Sequence, residues 1–225
     1  MKKREKGVKT PFRVLIYGKQ GDGKTSVTRF APGPVALLTL DNTDKVLDNV
    51  DEDGIVERFY IEDYSKVLSE INEFIEYIAN SEFKTIVFDN LSALEKVWFV
   101  NAADEGKNHG INSMQDYGKY SNQLIKMLSY IDSRLKDKNV IYTAWQRNGE
   151  IWLESGQKIT PFQPDLRDSV NNYFMGTVHA VTHIKYDQEK KERYWTLTNS
   201  TNEYAKNQID GRKRADFDKL FDWEA

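Results

Sequence analysis

The chain has 225 residues, with 32 lysines and arginines against 35 aspartates and glutamates and no cysteine. That length holds one α/β domain with a full core and is short for two, the charge balance excludes an overall basic field that would draw the protein onto nucleic acid, and the missing cysteines exclude disulfides and thiolate metal sites. No run approaches the ~18 apolar residues of a membrane span, and the charged start "MKKREKGVKTPF" has no apolar segment behind it suited to export, so a cytoplasmic protein with no membrane contact is expected.

In chain order, "FRVLIY" (12–17) reads as a short buried strand, and "GKQGDGKTS" follows it at once. From Lys24 there is no breaker until Pro32, which leaves room for a helix to start. "PVALLTL" (34–40) is a second apolar strand, ending at Asp41. Residues 63–79 place Val67, Leu68, Ile71, Phe74, Ile75 and Ile78 on one helical face, and "KTIVFDN" (84–90) is a third strand. Between 114 and 136 the apolar set Tyr117, Leu124, Met127, Leu128, Ile131 and Leu135 again has helical spacing, and "NVIYTAW" (139–145) is a fourth strand running into Gln146. Strands alternating with helices predict a largely parallel sheet with helices on its faces.

Beyond Gln146 the pattern changes. Asn148-Gly149 and Ser155-Gly156 are turn dipeptides around short strand-like pieces, a β-rich excursion or a mobile loop. "TVHAVTHIKYDQEKKERYWTLT" predicts a hairpin with its turn near 187–192, and "DGRKRADFDKLFDWEA" is a short helix or a tail. His179 and His183 lie four apart on a predicted strand with nothing to complete a zinc site, and His109 falls in a predicted loop. No repeat or linker divides the chain, so 1–225 reads as a single domain with charged ends.

The glycine-rich stretch fits G-x-x-x-x-G-K-[ST] at Gly18, Gly23, Lys24 and Thr25, in the strand-to-helix context that gives the pattern meaning. Glycines let the backbone take positive φ, so successive N–H groups turn inward onto phosphate oxygens. The cradle then comprises Gly18, Gly21, Asp22, Gly23, Lys24, Thr25 and Ser26. Lys24 reaches the terminal phosphates of ATP as a point charge, and Thr25 takes a position on Mg²⁺. The alternative is a glycine-rich turn with a solvated lysine. An apolar strand ending in an acid completes the signature, and "TIVFDN" supplies Asp89 as the second magnesium residue or, alternatively, as a cap for the next helix.

The cradle "GKQGDGKT", the acid strand "TIVFDN", a long helix and "VIYTAWQ" resemble the RecA-type P-loop ATPases, and in particular the small phage-encoded nucleotide-binding proteins of single-strand annealing and recombination. The resemblance spans about residues 10–210 and extends through "FQPDLRDSVNNYFMGTVHAVTHI" to the closing "RYWTLTNSTNEYAKNQID". It implies a RecA-like α/β fold with a C-terminal antiparallel hairpin, ATP and Mg²⁺ as cofactors, a bacterial host's cytoplasm, a homo-oligomer and single-stranded DNA as partner. Asn90 after Asp89 sets the chain apart from the AAA+ branch, where a glutamate is usual. The water-polarising carboxylate is expected after the second strand, at Asp41 or Asp44, either of which could equally serve a turn or cap; Thr43 holds the place of the family glutamate, which argues against fast hydrolysis. Gln146 resembles the γ-phosphate sensor, with a strand-end glutamine bonded to backbone as the alternative. Lys206 matches a lysine that reaches a neighbouring subunit's nucleotide, but Gln208 stands where its arginine partner would be.

DNA contact is implied for residues 146–168, through Arg147, Trp152, Lys158, Phe162 and Arg167, although Glu150, Glu154 and Asp165 balance the charge and the aromatics equally suit a hairpin core. Basic clusters at the two ends, "KKREK" and "GRKR", are further charge patches. Three functions follow: a slow ATPase acting on single-stranded DNA, a nucleotide-gated interaction protein with negligible turnover, and a small-molecule phosphotransferase.

Overall fold

The protein is described by a computed structural model over residues 10–106 and 110–223; His109 and the N-terminal basic cluster lie outside the described residues. Strands β1 (Arg13–Gly18), β2 (Val35–Thr39) and β3 (Val56–Tyr60) precede helix α1 (Val67–Ala79), and β4 (Thr85–Asp89) is followed by α2 (Leu91–Glu105) and α3 (Met114–Arg134). The chain then forms β5 (Asn139–Asn148), the small pair β6 (Ile151–Trp152) and β7 (Lys158–Ile159), β8 (Phe162–Pro164) and α4 (Asp168–Thr177). It closes with β9 (Ala180–Asp187), β10 (Glu192–Thr196), β11 (Lys206–Asn207) and β12 (Arg214–Asp216).

The sheet runs β12-β10-β9-β1-β5-β4-β2-β3, with β11 added to β9 and β8 to β5. Strands β1 to β5 and β9 pair in parallel, while β10, β11 and β12 join antiparallel, the β9–β10 hairpin turning where the charged 187–192 stretch predicts it. This is the mixed α/β architecture of a RecA-like P-loop NTPase with a C-terminal hairpin, as expected. Strand β5 lies between the cradle strand β1 and the acid strand β4. The register sets Gly18 beside Trp145 and Asp89 beside Thr39, so the carboxyl ends of all these strands meet along one edge.

Both faces are covered, which is why the parallel strands read as continuous apolar runs rather than alternating ones. Leu15, Tyr17, Ala36, Leu38, Ile86, Phe88, Val140 and Tyr142 face one core, into which all four α-helices pack. Val14, Ile16, Val35, Leu37, Val87 and Ile141 face the other, which is covered by Val27, Ala31 and Leu47 of short turns and by Leu220, Phe221 and Trp223 near the C-terminus. The final segment is therefore not a free tail, and its helical part is only a short 3₁₀ piece. Its β12 extends the sheet beside β10, a 3₁₀ turn at Phe217–Lys219 reverses the chain, and Phe221 stacks on Phe12 at 5.8 Å.

The helix expected from Lys24 amounts to one 3₁₀ segment, Ser26–Phe30, with no side-chain cap. Pro32, Gly33 and Pro34 leave no room before β2 begins at Val35. Five residues carry little macrodipole, so anion binding at this edge falls to individual amides and to Lys24. Because the C-terminal segment covers part of one face of the sheet, with Phe221 buried in that core, Phe221→Ala is expected to lower unfolding stability by about 3 kcal/mol in urea denaturation; a loss below 0.5 kcal/mol would mean that the segment does not complete the core.

Candidate nucleotide site

At the carboxyl edge of β1 the chain turns through Gly21 at φ +81° and Gly23 at φ +109°, both left-handed positions that side chains resist. Gly18 is required for another reason: a Cβ there would sit 2.2 Å from Ile184 Cγ2 on β9. Asp22 closes the loop by accepting from the Lys19 amide at 2.9 Å, and Ser26 opens the 3₁₀ turn.

Lys24 is only 7% exposed, and its ammonium donates to the Gly18 and Lys19 carbonyls at 3.0 and 2.7 Å. Burial lowers its pKa, against the raising pull of Asp89, Asp22 and Asp41. Thr25 Oγ1 donates to Asp89 Oδ2 at 2.6 Å, joining residues 64 apart in sequence. The other Asp89 oxygen accepts from Thr143 Oγ1 of β5, so a carboxyl that is 2% exposed is held by hydroxyls alone. Burial raises the Asp89 pKa; the Thr143 and Thr25 bonds pull it back, Asp41 raises it further and Lys24 lowers it. A carboxylate and a hydroxyl are hard oxygen ligands, which fits magnesium, an ion that completes its shell with phosphate oxygens and water rather than a protein cage. No cluster of three or more histidine, aspartate or glutamate side chains that could hold a metal occurs among the described residues.

Asp41 lies on the Asp89 side of the edge. Asn90 donates its amide N–H to Asp41 Oδ2 and accepts at Oδ1 from the Ala93 amide at 2.8 Å, capping α2. Asp41 Oδ1 accepts from the Thr43 amide and hydroxyl at 3.2 and 2.6 Å, so this aspartate serves the turn as well. Asp44 instead pairs with Arg58 of β3 at 3.4 Å, in a cluster that includes Asp48. Lys206 sits on the far side of β9 from β1, where it pairs in register with Val181 and donates to the Gly176 carbonyl at 3.3 Å.

Gln146 follows Trp145, the strand partner of Gly18. Its Oε1 meets His183 Nε2 at 3.0 Å rather than a backbone group. That histidine stacks on Tyr17 at 4.5 Å, and its Nδ1 meets Glu203 Oε2 at 2.9 Å. Thr143, His183 and Glu203 were not legible as a set, since their partners lie 20 to 54 residues away; the one signal was a polar residue inside an apolar strand, as in "VIYTAW" and "AVTHI".

The 146–168 segment is less free than its composition suggests. Arg147 pairs with Asp168, Lys158 with Glu150 at 2.7 Å, and Arg167 lies 4.2 Å over the Tyr117 ring. Phe162 packs against the helical core and His183, whereas Trp152, on the β6–β7 pair, is 70% exposed.

A parallel sheet with a glycine cradle, a buried lysine and a threonine tied to a strand-end aspartate defines a P-loop ATPase of the RecA-like class. The chain belongs to the AAA-domain family, whose model matches residues 10–209. That family bears the name of the branch against which Asn90 had weighed; here Asn90 is a helix cap, a role that does not discriminate between branches. No curated protein matches the chain. Among solved structures it is similar to the flagellar accessory protein FlaH from Methanocaldococcus jannaschii, at 14% identity over 92% of this chain and 85% of that one, with a TM-score of 0.46. Among the described residues no helix is long and apolar enough to cross a membrane.

An acid whose pKa is raised by folding destabilises the folded state increasingly as pH climbs from its unfolded value towards its folded one. Asp89→Asn is therefore expected to raise the Tm of the nucleotide-free protein at pH 7.5 while weakening Mg-ATP binding at least about tenfold, the scale of one charge-assisted contact. Calorimetry of both forms checks this; a lower Tm would mean that the two threonine hydroxyls require the charge.

Proposed function

We propose that the chain binds Mg-ATP in the loop from Gly18 to Thr25 and hydrolyses it slowly, using the cycle to bind or release single-stranded DNA as a homo-oligomer. The observation that carries the nucleotide part is the 2.6 Å contact from Thr25 to Asp89 beside the buried Lys24. Bound magnesium would neutralise phosphate charge between Thr25 and Asp89. Lys24 is poised to exchange two loop carbonyls for phosphate oxygens, which replaces partial charges with full ones around an ammonium that burial disfavours. The amides around Gly21 and Gly23 supply the remaining donors.

Slow turnover follows from Asp41. Its Oδ1 accepts twice from Thr43 and its Oδ2 once from Asn90, so three of its four lone pairs are engaged and one is left to accept a proton from water. The same observation favours a second reading, a nucleotide-gated interaction protein with negligible hydrolysis. The DNA and oligomer parts rest on the resemblance of the chain to RecA-type proteins and, for DNA, on the exposed Trp152, whose ring is open to stack on a base with Lys158 6.0 Å from its centroid.

Steady-state ATP hydrolysis with and without single-stranded DNA tests these readings. Lys24→Ala is expected to weaken ATP binding roughly 10- to 100-fold, the worth of a hydrogen-bonded charge, and to abolish turnover. Trp152→Ala is expected to remove stimulation by DNA while leaving basal hydrolysis in place. Tight binding without turnover selects the gated reading, and product formation that demands a small acceptor defeats both.

A further inference from the structure

His183 and Glu203 are 3% and 4% exposed, and the nucleotide reading above leaves both without a role. Groups from four elements face the ring. Tyr17 of β1 stacks on it, with its own hydroxyl donated to the Phe162 and Tyr204 carbonyls; the Phe162 ring of β8 lies 5.5 Å away; Gln146 of β5 meets Nε2; and Glu203, ahead of β11, meets Nδ1. Lys185, on the same strand as His183, pairs with Glu203 at 3.1 Å. Burial by itself would raise the Glu203 pKa, but the bonds from His183 and Lys185 outweigh it and hold the carboxyl below its usual range, so it remains an acceptor.

The ring thus has an acceptor at each nitrogen, the Gln146 carbonyl at one and a carboxylate at the other. Only the imidazolium, with two N–H donors, satisfies both. A neutral ring that keeps its proton on Nδ1 for Glu203 presents a lone pair at Nε2, and Gln146 must then turn its amide over and donate. A glutamine that turns one end to the ring directs its opposite end, with both lone pairs or both N–H groups unused, away from it.

We propose that His183 is a positioning residue for Gln146, its protonation state selecting which end of the amide is free at the edge beside Gly18. The proposal rests on the reading of Gln146 as the group that senses the terminal phosphate. With the imidazolium, the free end is the NH₂, a donor suited to a γ-phosphate oxygen, and bound triphosphate is retained. With the neutral ring, the free end is the carbonyl, an acceptor suited to orienting the attacking water.

The test follows the ¹⁵N resonances of the His183 ring and of the Gln146 side-chain NH₂ in the nucleotide-free full chain between about pH 5 and 8, where imidazole titrates. The two are expected to change with one midpoint. In His183→Phe, which keeps the stack on Tyr17, the Gln146 signals lose their pH dependence. In parallel, affinity for a non-hydrolysable ATP analogue is expected to be about tenfold higher at pH 6 than at pH 8, the scale of one hydrogen bond to a charged oxygen, and this difference disappears in His183→Phe. Gln146 signals that ignore the His183 titration, or a pH-dependent affinity that survives in His183→Phe, would overturn the proposal. No analogue binding at any pH would instead overturn the nucleotide reading, since the nucleotide-free spectra report the coupling of ring to amide on their own.

Discussion

The contact on which the site depends is that of Thr25 with Asp89. It ties the loop after β1 to the end of β4, across β5, and β5 contributes Thr143 to the same carboxyl. Three strand ends are thus joined by two hydroxyls and one buried acid. The arrangement holds an acid at the edge of an apolar sheet where burial opposes its charge, and the stability surrendered there is what a cation and a polyphosphate would return on binding.

That edge is supported unequally from its two sides. Four α-helices fill one face of the sheet, and Tyr17, His183 and Gln146 look toward that side. Short 3₁₀ turns and the C-terminal segment fill the other, where Phe217 sits 3.1 Å from the point a Cβ on Gly23 would occupy. The cradle is therefore braced from outside by residues near the end of the chain, which takes the place of the long helix that a phosphate loop ordinarily opens. With so little helix behind it, the loop relies on the positive φ of its glycines and on Lys24.

Several polar groups along the edge are already engaged. Asp41 is shared between Asn90 and Thr43, Lys24 between two carbonyls, and Gln146 is held by a histidine that is itself held by Glu203. In such a site a ligand acts by exchange, each new bond displacing an existing one, so chemistry can be slow even when binding is firm.

The parts legible in the amino-acid order were those governed by neighbours. The glycine spacing, the apolar runs of β1, β2, β4 and β5, and the helical periodicity of α1 and α3 each follow from residues within about a dozen positions, because backbone freedom and amphipathic spacing are local properties. Strand β3, as long as β2 and β4 but half-polar, and the docking of Leu220, Phe221 and Trp223 were not legible, since each is decided by what it packs against. The same holds for Asp44 drawn off to Arg58 and for His183 placed between Gln146 and Glu203. The sequence by itself determined that a phosphate cradle and an acid strand exist; only the tertiary structure decided which side chains stand around them, because a hydrogen bond between residues 20 to 64 positions apart has no signature until the sheet aligns its strand ends.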